Sequence, residues 1–227
     1  MENKVEWIVL TKAPVPGLVK TRLIPALGEQ AACAVYEQLL ARLLGSLKQV
    51  TVSSGSGVMP SRIALWIAGD AEHEAFKPWL ALAEQVTFYQ QPSGTDTGVD
   101  KDADKGKADL GERMALAVQS SLSRGYIPVL IGVDVPDLDE TYLLNCLQQL
   151  RNHDLVISPA EDGGYGLLGM KQFYAELFVN KAWSTDTVFE STKADIERLD
   201  IMAKYLPKVW DVDESADVER FRKLTVL

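Results

Sequence analysis

The chain has 227 residues and a mass of 25.0 kDa, which suits one α/β domain with a large hydrophobic core. Its 47% hydrophobic and 24% charged residues exclude disordered, collagen-like and disulfide-scaffold proteins. The 23 basic and 32 acidic side chains give a net charge of −9, which disfavours binding to nucleic acid or to anionic lipid.

Apolar runs and helical periodicity alternate along the first half of the chain. A run rich in β-branched residues before a Pro-Gly loop is typical of a buried first strand. The predicted strands cover residues 5–11, 63–68 and 86–89, and the predicted helices cover 29–50 and 71–82. Residues 53–60 form a turn-rich loop. The polar stretch 90–107 is either a long loop beside an active site or a tolerated surface insertion.

The second half continues the alternation, with strands predicted at 128–133, 155–158, 166–170 and 209–212 and helices at 111–122, 138–150, 185–199 and 214–223. Strands joined by helical crossovers form parallel sheets covered on both faces. We therefore predict one α/β domain over residues 1–227, with a three-layer α/β/α architecture and a mostly parallel central sheet.

The cysteines and the amino terminus bear on the cellular compartment. Cys33 and Cys146 lack the neighbouring ligands of a zinc site and are predicted to be buried thiols. The first ten residues lack the pattern of a signal peptide, and no apolar run approaches the ~18 residues of a membrane span. We expect a cytoplasmic protein without membrane partners.

A basic loop follows the first predicted strand. It contains Lys12, Gly17, Lys20 and Arg22 and would lie at the carboxyl edge of the sheet, where open α/β folds bind ligands. Backbone N–H groups with Lys or Arg can hold phosphate, although the pattern is not a Walker A loop. These four residues are candidate phosphate ligands. The alternative is a solvated basic turn.

Two acids follow the predicted central strand. Asp134 and Asp137 flank a proline and could hold Mg²⁺ or Mn²⁺ through oxygen ligands. A metal there would bridge to a diphosphate. The competing interpretation is that Asp137 or Asp139 caps the next helix.

An acidic, glycine-rich turn follows the next strand. Glu161 and Asp162 could orient or deprotonate an acceptor hydroxyl. Gly163 and Gly164 would let a ligand approach the backbone, and Tyr165 adds an aromatic contact to this predicted acceptor site. The alternative is a plain glycine turn.

A fourth cluster begins at Trp183, a candidate acceptor contact. Ser184 or Thr185 would cap the following helix, and Asp186 would lie in its first turn. Asp186 is also a third candidate metal ligand.

Two familiar site types are disfavoured. Residues 164–169 fit G-x-G-x-x-G, but they enter a predicted strand and do not open a helix, as a dinucleotide site requires. His73 and His153 lie far from any G-x-S-x-G serine, so a Ser-His-Asp hydrolase is disfavoured.

The segments PVPGLVKTRL, GERM, GVDVPDL, PAEDGGYGLLG and WSTDTV occur in this order between positions 14 and 188. As an ordered set they resemble a bacterial glycosyltransferase-A-like family, related to nucleotide-diphospho-sugar transferases, with members described as arsenosugar biosynthesis glycosyltransferases. The resemblance implies a Rossmann-related nucleotide-diphospho-sugar transferase fold.

The pattern is more distantly similar to phospholactate and molybdenum-cofactor guanylyltransferases. That similarity implies that Lys20 and Arg22 contact nucleotide phosphates, that Asp134 holds the metal, and that Gln90 or Gly111 lies near the base. The chain departs from both groups because Asp134 and Asp137 are three residues apart and do not form a strict D-x-D, and because it carries the long segment 90–107.

We predict a Mg²⁺- or Mn²⁺-dependent transferase that moves a sugar from a nucleoside diphosphate sugar to a small acceptor. The alternative enzyme is a nucleotidyltransferase that uses an NTP and a phosphorylated acceptor and releases pyrophosphate. A third possibility is a non-catalytic nucleotide-binding protein. The donor base, the acceptor and the oligomeric state do not follow from the sequence.

Overall fold

The computed structural model describes residues 4–52, 59–77, 86–91 and 110–225. Its strands are β1 (Lys4–Lys12), β2 (Ser61–Ala68), β3 (Val86–Gln90), β4 (Tyr126–Ile131), β5 (Leu155–Pro159), β6 (Tyr165–Met170) and β7 (Ala203–Tyr205). Its α-helices are α1 (Ile24–Leu27), α2 (Glu29–Val52), α3 (Leu110–Ser123), α4 (Glu140–Asn152), α5 (Val188–Arg198) and α6 (Ser215–Thr225).

The strands form one seven-stranded sheet in the order β3-β2-β1-β4-β6-β5-β7. All neighbouring pairs are parallel except those made by β6, which is antiparallel to β4 and to β5. The predicted mostly parallel α/β sheet is confirmed. Because β1 and β4 are adjacent and parallel, the loops that follow them meet at the same edge of the sheet.

Side chains of the central strands alternate between two apolar layers. On β1, Trp7 and Val9 pack into one core cluster with helices α2 and α4, whereas Ile8 packs into the other cluster with helix α3. The sheet is therefore covered on both faces, and its central strands are buried on both sides. Within the described ranges, no helix is long and apolar enough to cross a membrane.

Most predicted elements lie within a few residues of those observed. The prediction failed near the carboxyl end, where residues 209–212 form only an isolated bridge from Val209 to Ala160 and the last strand is β7 instead. Strand β7 is a three-residue edge strand in which Lys204 and Tyr205 are exposed and only Ala203 is partly buried, so it has no apolar run to reveal it.

Two other predictions fall largely outside the described residues. Of the predicted helix 71–82, the structure describes a 3₁₀ turn at Glu74–Phe76. Most of the predicted loops 53–60 and 90–107 lies outside the described ranges.

Candidate functional site

A cavity of about 570 Å³ opens at the carboxyl edge of the sheet. Its walls come from the loop after β1, the loop after β4, the turn between β5 and β6, the segment after β7 and the first turn of α3. This is the place where open α/β folds bind ligands. The candidate site is therefore built from segments that are far apart in the chain.

Lys20 lies at the centre of the charged part of this cavity. Its Nζ atom donates to Asp134 Oδ2 and to Asp213 Oδ1, each at 2.9 Å, and its side chain is only 8% exposed. Burial lowers the pKa of Lys20, but the two carboxylates outweigh that effect and raise it above its ordinary value. Its backbone is left-handed, with φ 46°, which is strained for a non-glycine residue. Residues with such strained backbone conformations cluster at functional sites.

Four aspartates line the same cavity: Asp134, Asp162, Asp211 and Asp213. Burial raises the pKa of Asp213, but Lys20 and Arg22 lower it below its usual range, with Arg22 Nη1 donating to Asp213 Oδ2 at 2.7 Å. Burial, followed by repulsion from Asp162, Asp134 and Asp213, raises the pKa of Asp211 to about 7. The aspartates therefore outnumber the cations that pair with them, and a further positive charge would be favoured near Asp211.

Backbone hydrogen bonds fix the segment that carries Asp211 and Asp213. Val209 donates its N–H to Pro159 O, and Val212 donates its N–H to Asp134 O, at 2.9 and 3.0 Å. Between them, the Trp210 indole donates to Asp137 Oδ1 at 3.0 Å. The segment after β7 is thereby tied to the loop after β4, which brings its acids beside Asp134.

The donor set of these acids fits a hard divalent cation. Carboxylate oxygens are the preferred ligands of Mg²⁺ and Mn²⁺, and Mg²⁺ is commonly held by one or two carboxylates together with phosphates and water. Across the described ranges, no group of three or more His, Cys, Asp or Glu side chains is arranged to hold a metal by itself. Asp134 and Asp211 match the two-carboxylate mode, in which the substrate supplies the remaining ligands.

The opposite wall of the cavity is formed by α3 and the end of β3. Gln91 is 3% exposed, and its Nε2 donates to Trp66 O at 2.7 Å while its Oε1 accepts from Arg113 Nη1 at 3.1 Å. Arg113 Nε and Trp183 Nε1 are buried without a hydrogen-bond partner in the part of the chain that the structure describes. This wall holds unused donors.

The structure separates the predicted phosphate ligands. Lys12, Lys20 and Arg22 line the cavity. Gly17 has φ +83° and packs against the carboxylate of Glu29, so its role is to turn the loop.

The predicted metal ligands Asp137 and Asp186 do not line the cavity with Asp134. Asp137 accepts from the Trp210 indole, and the helix cap is Asp139, whose side chain accepts from the Tyr142 N–H at 2.8 Å. The Asp186 side chain is exposed, and its backbone packs against Gly163. Asp211 lines the cavity with Asp134 instead, because the path of the chain after β7 sets the neighbours of Asp134; the metal role of Asp137 and Asp186 stays a prediction.

The two acids predicted as catalytic differ in environment. Asp162 lines the cavity and accepts from the Gly164 N–H at 2.8 Å. Glu161 is 52% exposed and pairs with Arg220 at 2.9 Å, and its hydrogen bond with Arg220 lowers its pKa. Glu161 therefore ties the turn to helix α6, and its catalytic role stays a prediction.

The predicted acceptor contacts are also divided. Gly164, Tyr165 and Trp183 line the cavity. Gly163 has φ +87°, and a Cβ atom there would collide with the backbone of Asp186. Gly163 therefore permits a close contact between two backbone segments.

The residues predicted near the base have structural partners. Gln90 Nε2 donates to Gly69 O at 2.7 Å, and it is the next residue, Gln91, that lines the cavity. A Cβ atom on Gly111 would collide with Phe178 O and would lie 2.6 Å from Trp183 Nε1. Gly111 thus allows helix α3 to pack closely against the segment that contains Phe178 and Trp183.

Sequence reasoning missed Asp211, Asp213, Gln91 and Arg113. The predicted strand 209–212 and the predicted helix 214–223 assign no ligand role to the acids of the run W-D-V-D-E at 210–214, although two acids after an apolar residue at the predicted sheet edge are a usable signal. Arg113 belongs to the GERM segment, but nothing in its local pattern separates it from a surface arginine.

The comparisons with known proteins agree with this architecture. The family model described as "Uncharacterized protein conserved in bacteria (DUF2064)" matches residues 51–185. A proposed nucleotide-diphospho-sugar transferase from Desulfovibrio desulfuricans G20 is 30% identical, with a TM-score of 0.73 over 92% of this chain and 82% of that chain. No curated protein matches the sequence significantly.

More distant solved structures share the fold. The 4-diphosphocytidyl-2C-methyl-D-erythritol synthase from Anaerococcus prevotii DSM 20548 is 11% identical, with a TM-score of 0.57 over 99% of this chain and 97% of that chain. Rv0371C from Mycobacterium tuberculosis H37Rv, solved as a manganese complex, is 14% identical, with a TM-score of 0.50 over 98% and 100%. The expected nucleotide-diphospho-sugar transferase fold is confirmed.

Proposed function

The chain belongs to the DUF2064 family and is an enzyme of the transferase class, and we propose that it transfers a sugar from a nucleoside diphosphate sugar to a small acceptor. The observation that carries this proposal is the charged cavity at the carboxyl edge of the sheet. Two cations from the loop after β1 meet carboxylates from the loop after β4 and the segment after β7 there. Such a site suits a diphosphate with a divalent cation.

Lys20 and Arg22 would bind the diphosphate of the donor. Both side chains already lie in the cavity, held by Asp134 and Asp213, and a phosphate oxygen can take up their remaining N–H groups. When the bond from the sugar to the diphosphate breaks, negative charge grows on the leaving phosphate oxygen. Donors fixed in advance at that position lower the barrier without reorganisation.

Asp134 and Asp211 would hold Mg²⁺ or Mn²⁺, which neutralises charge on the diphosphate when it is bound. In the protein alone, burial and then repulsion from the neighbouring carboxylates, Asp134 among them, raise the pKa of Asp211. A divalent cation held by these carboxylates would relieve that repulsion, so we expect metal and diphosphate to bind cooperatively.

Asp162 is the candidate base that accepts the proton of the acceptor hydroxyl. It lies at the cavity with Gly164 and Tyr165, and its Oδ1 accepts from the Gly164 N–H, which leaves lone pairs for a hydroxyl proton. In the proposed step, the hydroxyl oxygen bonds to the anomeric carbon, the carbon–oxygen bond to the diphosphate breaks, and the hydroxyl proton passes to Asp162.

Nucleotidyl transfer is the second candidate. It is favoured by the position of Lys20 and Arg22 in the loop after β1, where the resemblance to guanylyltransferases implies contact with nucleotide phosphates. In that reaction an acceptor phosphate attacks the α-phosphate of an NTP and pyrophosphate leaves.

The deciding experiment measures the thermal stability of the purified protein with Mn²⁺ against UDP-, GDP-, ADP- and dTDP-sugars and the free NTPs. A ligand that binds only the folded state raises the apparent stability by mass action. Each hit is repeated with Asp134→Ala and with the matched control Asp186→Asn, whose side chain is exposed. Turnover is then followed as nucleoside diphosphate or pyrophosphate release.

We expect a Mn²⁺-dependent shift with one class of sugar nucleotide, lost in Asp134→Ala and retained in Asp186→Asn. Removal of one charge-stabilising group typically costs about 3–4 kcal/mol of the activation free energy, so turnover in Asp134→Ala should fall by about 10²–10³-fold. A shift with NTPs alone and pyrophosphate release would favour nucleotidyl transfer. Nucleotide binding without turnover of any donor would contradict both enzyme proposals.

A further inference from the structure

The cations that line the cavity are unequally neutralised. Lys20 pairs with Asp134 and Asp213, Arg22 pairs with Asp213, and Lys12 also has an interaction partner. Arg113 also lines the cavity, yet in the described part of the chain it forms no ion pair, and its hydrogen-bond partner is the neutral amide of Gln91. A half-buried charge left in this way is costly unless a ligand compensates it.

The Gln91 amide is fully engaged in holding the guanidinium of Arg113. Its Nε2 donates to Trp66 O, and to Thr11 O at 3.4 Å, so its Oε1 is turned toward Arg113 Nη1. These two backbone carbonyls belong to β2 and β1, the rigid centre of the sheet. Gln91 is therefore a positioning residue, and Arg113 approaches the cavity in an orientation fixed by the sheet.

Arg113 has spare donors at the cavity wall. The guanidinium carries five N–H groups, and in the described ranges only one of them, on Nη1, donates to a partner, Gln91. Its Nε is buried away from solvent, so the N–H groups of Nη1 and Nη2 are the donors left for a ligand. The neighbouring side chains on the same face of α3, Leu110 and Met114, are apolar and also line the cavity. They lower the local dielectric and strengthen any charge pair formed there.

From these contacts we infer that Arg113, positioned by Gln91, forms a second anion subsite that binds a phosphate or carboxylate group of a substrate. The inference rests on the proposed function only in treating this cavity as the substrate site. The anion has two sources, the diphosphate of the donor or an acidic group of the acceptor. Both would be held by the charge-assisted bonds that arginine makes to planar or tetrahedral anions.

The test is a calorimetric titration of the whole protein in the presence of Mn²⁺. In the first arm the probe is inorganic pyrophosphate, which represents the donor diphosphate. In the second arm the probe is inorganic phosphate, added to protein saturated with pyrophosphate, which represents an anionic acceptor group. The variants are Arg113→Gln, Arg113→Lys and Gln91→Glu.

The matched control is Arg198→Gln, because Arg198 is an exposed arginine at the far end of helix α5 and pairs with Asp195. Gln91→Glu places a carboxylate beside the guanidinium and so tests the charge of Arg113 without removing it. Thermal unfolding of every variant checks that the fold is retained, and Arg113→Lys keeps the charge should Arg113→Gln unfold.

We expect Arg113→Gln and Gln91→Glu to weaken the binding of one of the two anions by roughly ten- to hundredfold, which corresponds to the loss of a hydrogen bond to a charged group. Arg113→Lys should recover part of the loss, and Arg198→Gln should bind as the wild type does. A loss in the first arm assigns the subsite to the donor diphosphate, and a loss in the second arm alone assigns it to the acceptor.

Unchanged affinity in both arms for both Arg113→Gln and Gln91→Glu would overturn the inference, as would a wild-type protein that binds neither anion. Failure of the proposed function is seen separately. Anion binding that depends on Arg113, with no turnover of any sugar nucleotide, would remove the glycosyltransferase proposal and leave the subsite in place.

Discussion

Two charged clusters lie along the central strands, and they are built in opposite ways. In the first, Glu6 of β1 is fully buried and pairs with Arg62 and Arg124 at 2.5 and 2.6 Å. In the second, Lys20 lies in the loop after β1 and pairs with Asp134 and Asp213. The first has one acid between two cations, and the second has one cation between two acids.

The two clusters differ in whether their charges are already satisfied. Arg62 stacks over the Tyr126 ring at 3.9 Å and Arg124 over the Tyr89 ring at 4.8 Å, so aromatic faces cover the surplus positive charge around Glu6. Around Lys20 the surplus acids Asp162 and Asp211 face a cavity. The Glu6 cluster is closed, because its charges are already satisfied, and it contributes to folding. The Lys20 cluster is open, because it keeps a surplus of negative charge that a bound cation can neutralise.

The largest expected effect on stability comes from the closed cluster. Glu6→Gln removes the only acid between the two arginines in the described structure and places an amide N–H against a guanidinium. Breaking a buried ion pair from one side costs about 3–5 kcal/mol, so we expect a loss of about 3 kcal/mol in the free energy of unfolding, measured by urea denaturation.

The matched control for this substitution is Glu219→Gln, which changes an exposed acid on helix α6. It should unfold as the wild type does. If Glu6→Gln proved as stable as the wild type, the Glu6 cluster would not be the stabilising member of the pair.

Substitution of Asp211 should have an intermediate effect on stability, and it should raise the stability where Glu6→Gln lowers it. Its folded-state pKa of about 7 lies above the ~4 of an unfolded aspartate, so the folded protein binds more protons between these values. Stability from this group is complete below about pH 4 and is lost as the pH rises through about 7. Asp211→Asn should remove that slope and stabilise the protein at pH 8 by about 1–2 kcal/mol, after allowance for solvent screening.

Urea denaturation at a series of pH values from 5 to 8 measures this slope for the wild type and for Asp211→Asn. Mn²⁺ should stabilise the wild type more at pH 8 than at pH 5, and should stabilise Asp211→Asn less than the wild type. If Asp211→Asn were less stable than the wild type at pH 8, the Lys20 cluster would carry no surplus of negative charge.

The fold was largely predictable from the sequence because its signals are local. The β-branched run of β1 and the apolar spacing of α2 predict elements that the structure confirms. A buried parallel sheet with helices on both faces follows from their alternation. Strand β7 does not follow from the sequence because it has only three residues and two of their side chains are exposed, so no apolar pattern marks it.

The site was less predictable because its neighbours come from distant parts of the chain. Asp134 and Lys20 were identified from their positions after predicted strands, and the structure places them 2.9 Å apart. Asp137, only three residues from Asp134, turns instead to Trp210. Spacing along the loop does not reveal that Asp211 lines the same cavity as Asp134 and that Asp137 does not, since the path of the chain after β7 decides this.

The smallest effect is expected at Glu161, which belongs to neither charged cluster. Its carboxylate pairs with Arg220, which stacks over the Trp210 ring at 4.0 Å, so this pair contacts the segment that carries Asp211. Both side chains are well exposed, and such pairs contribute little. Glu161→Gln should therefore leave the turnover and the unfolding midpoint nearly unchanged, whereas Asp162→Asn should lower turnover at unchanged stability. If Glu161→Gln abolished turnover and Asp162→Asn did not, the catalytic acid would be Glu161, and the open cluster would extend beyond the cavity that the structure outlines.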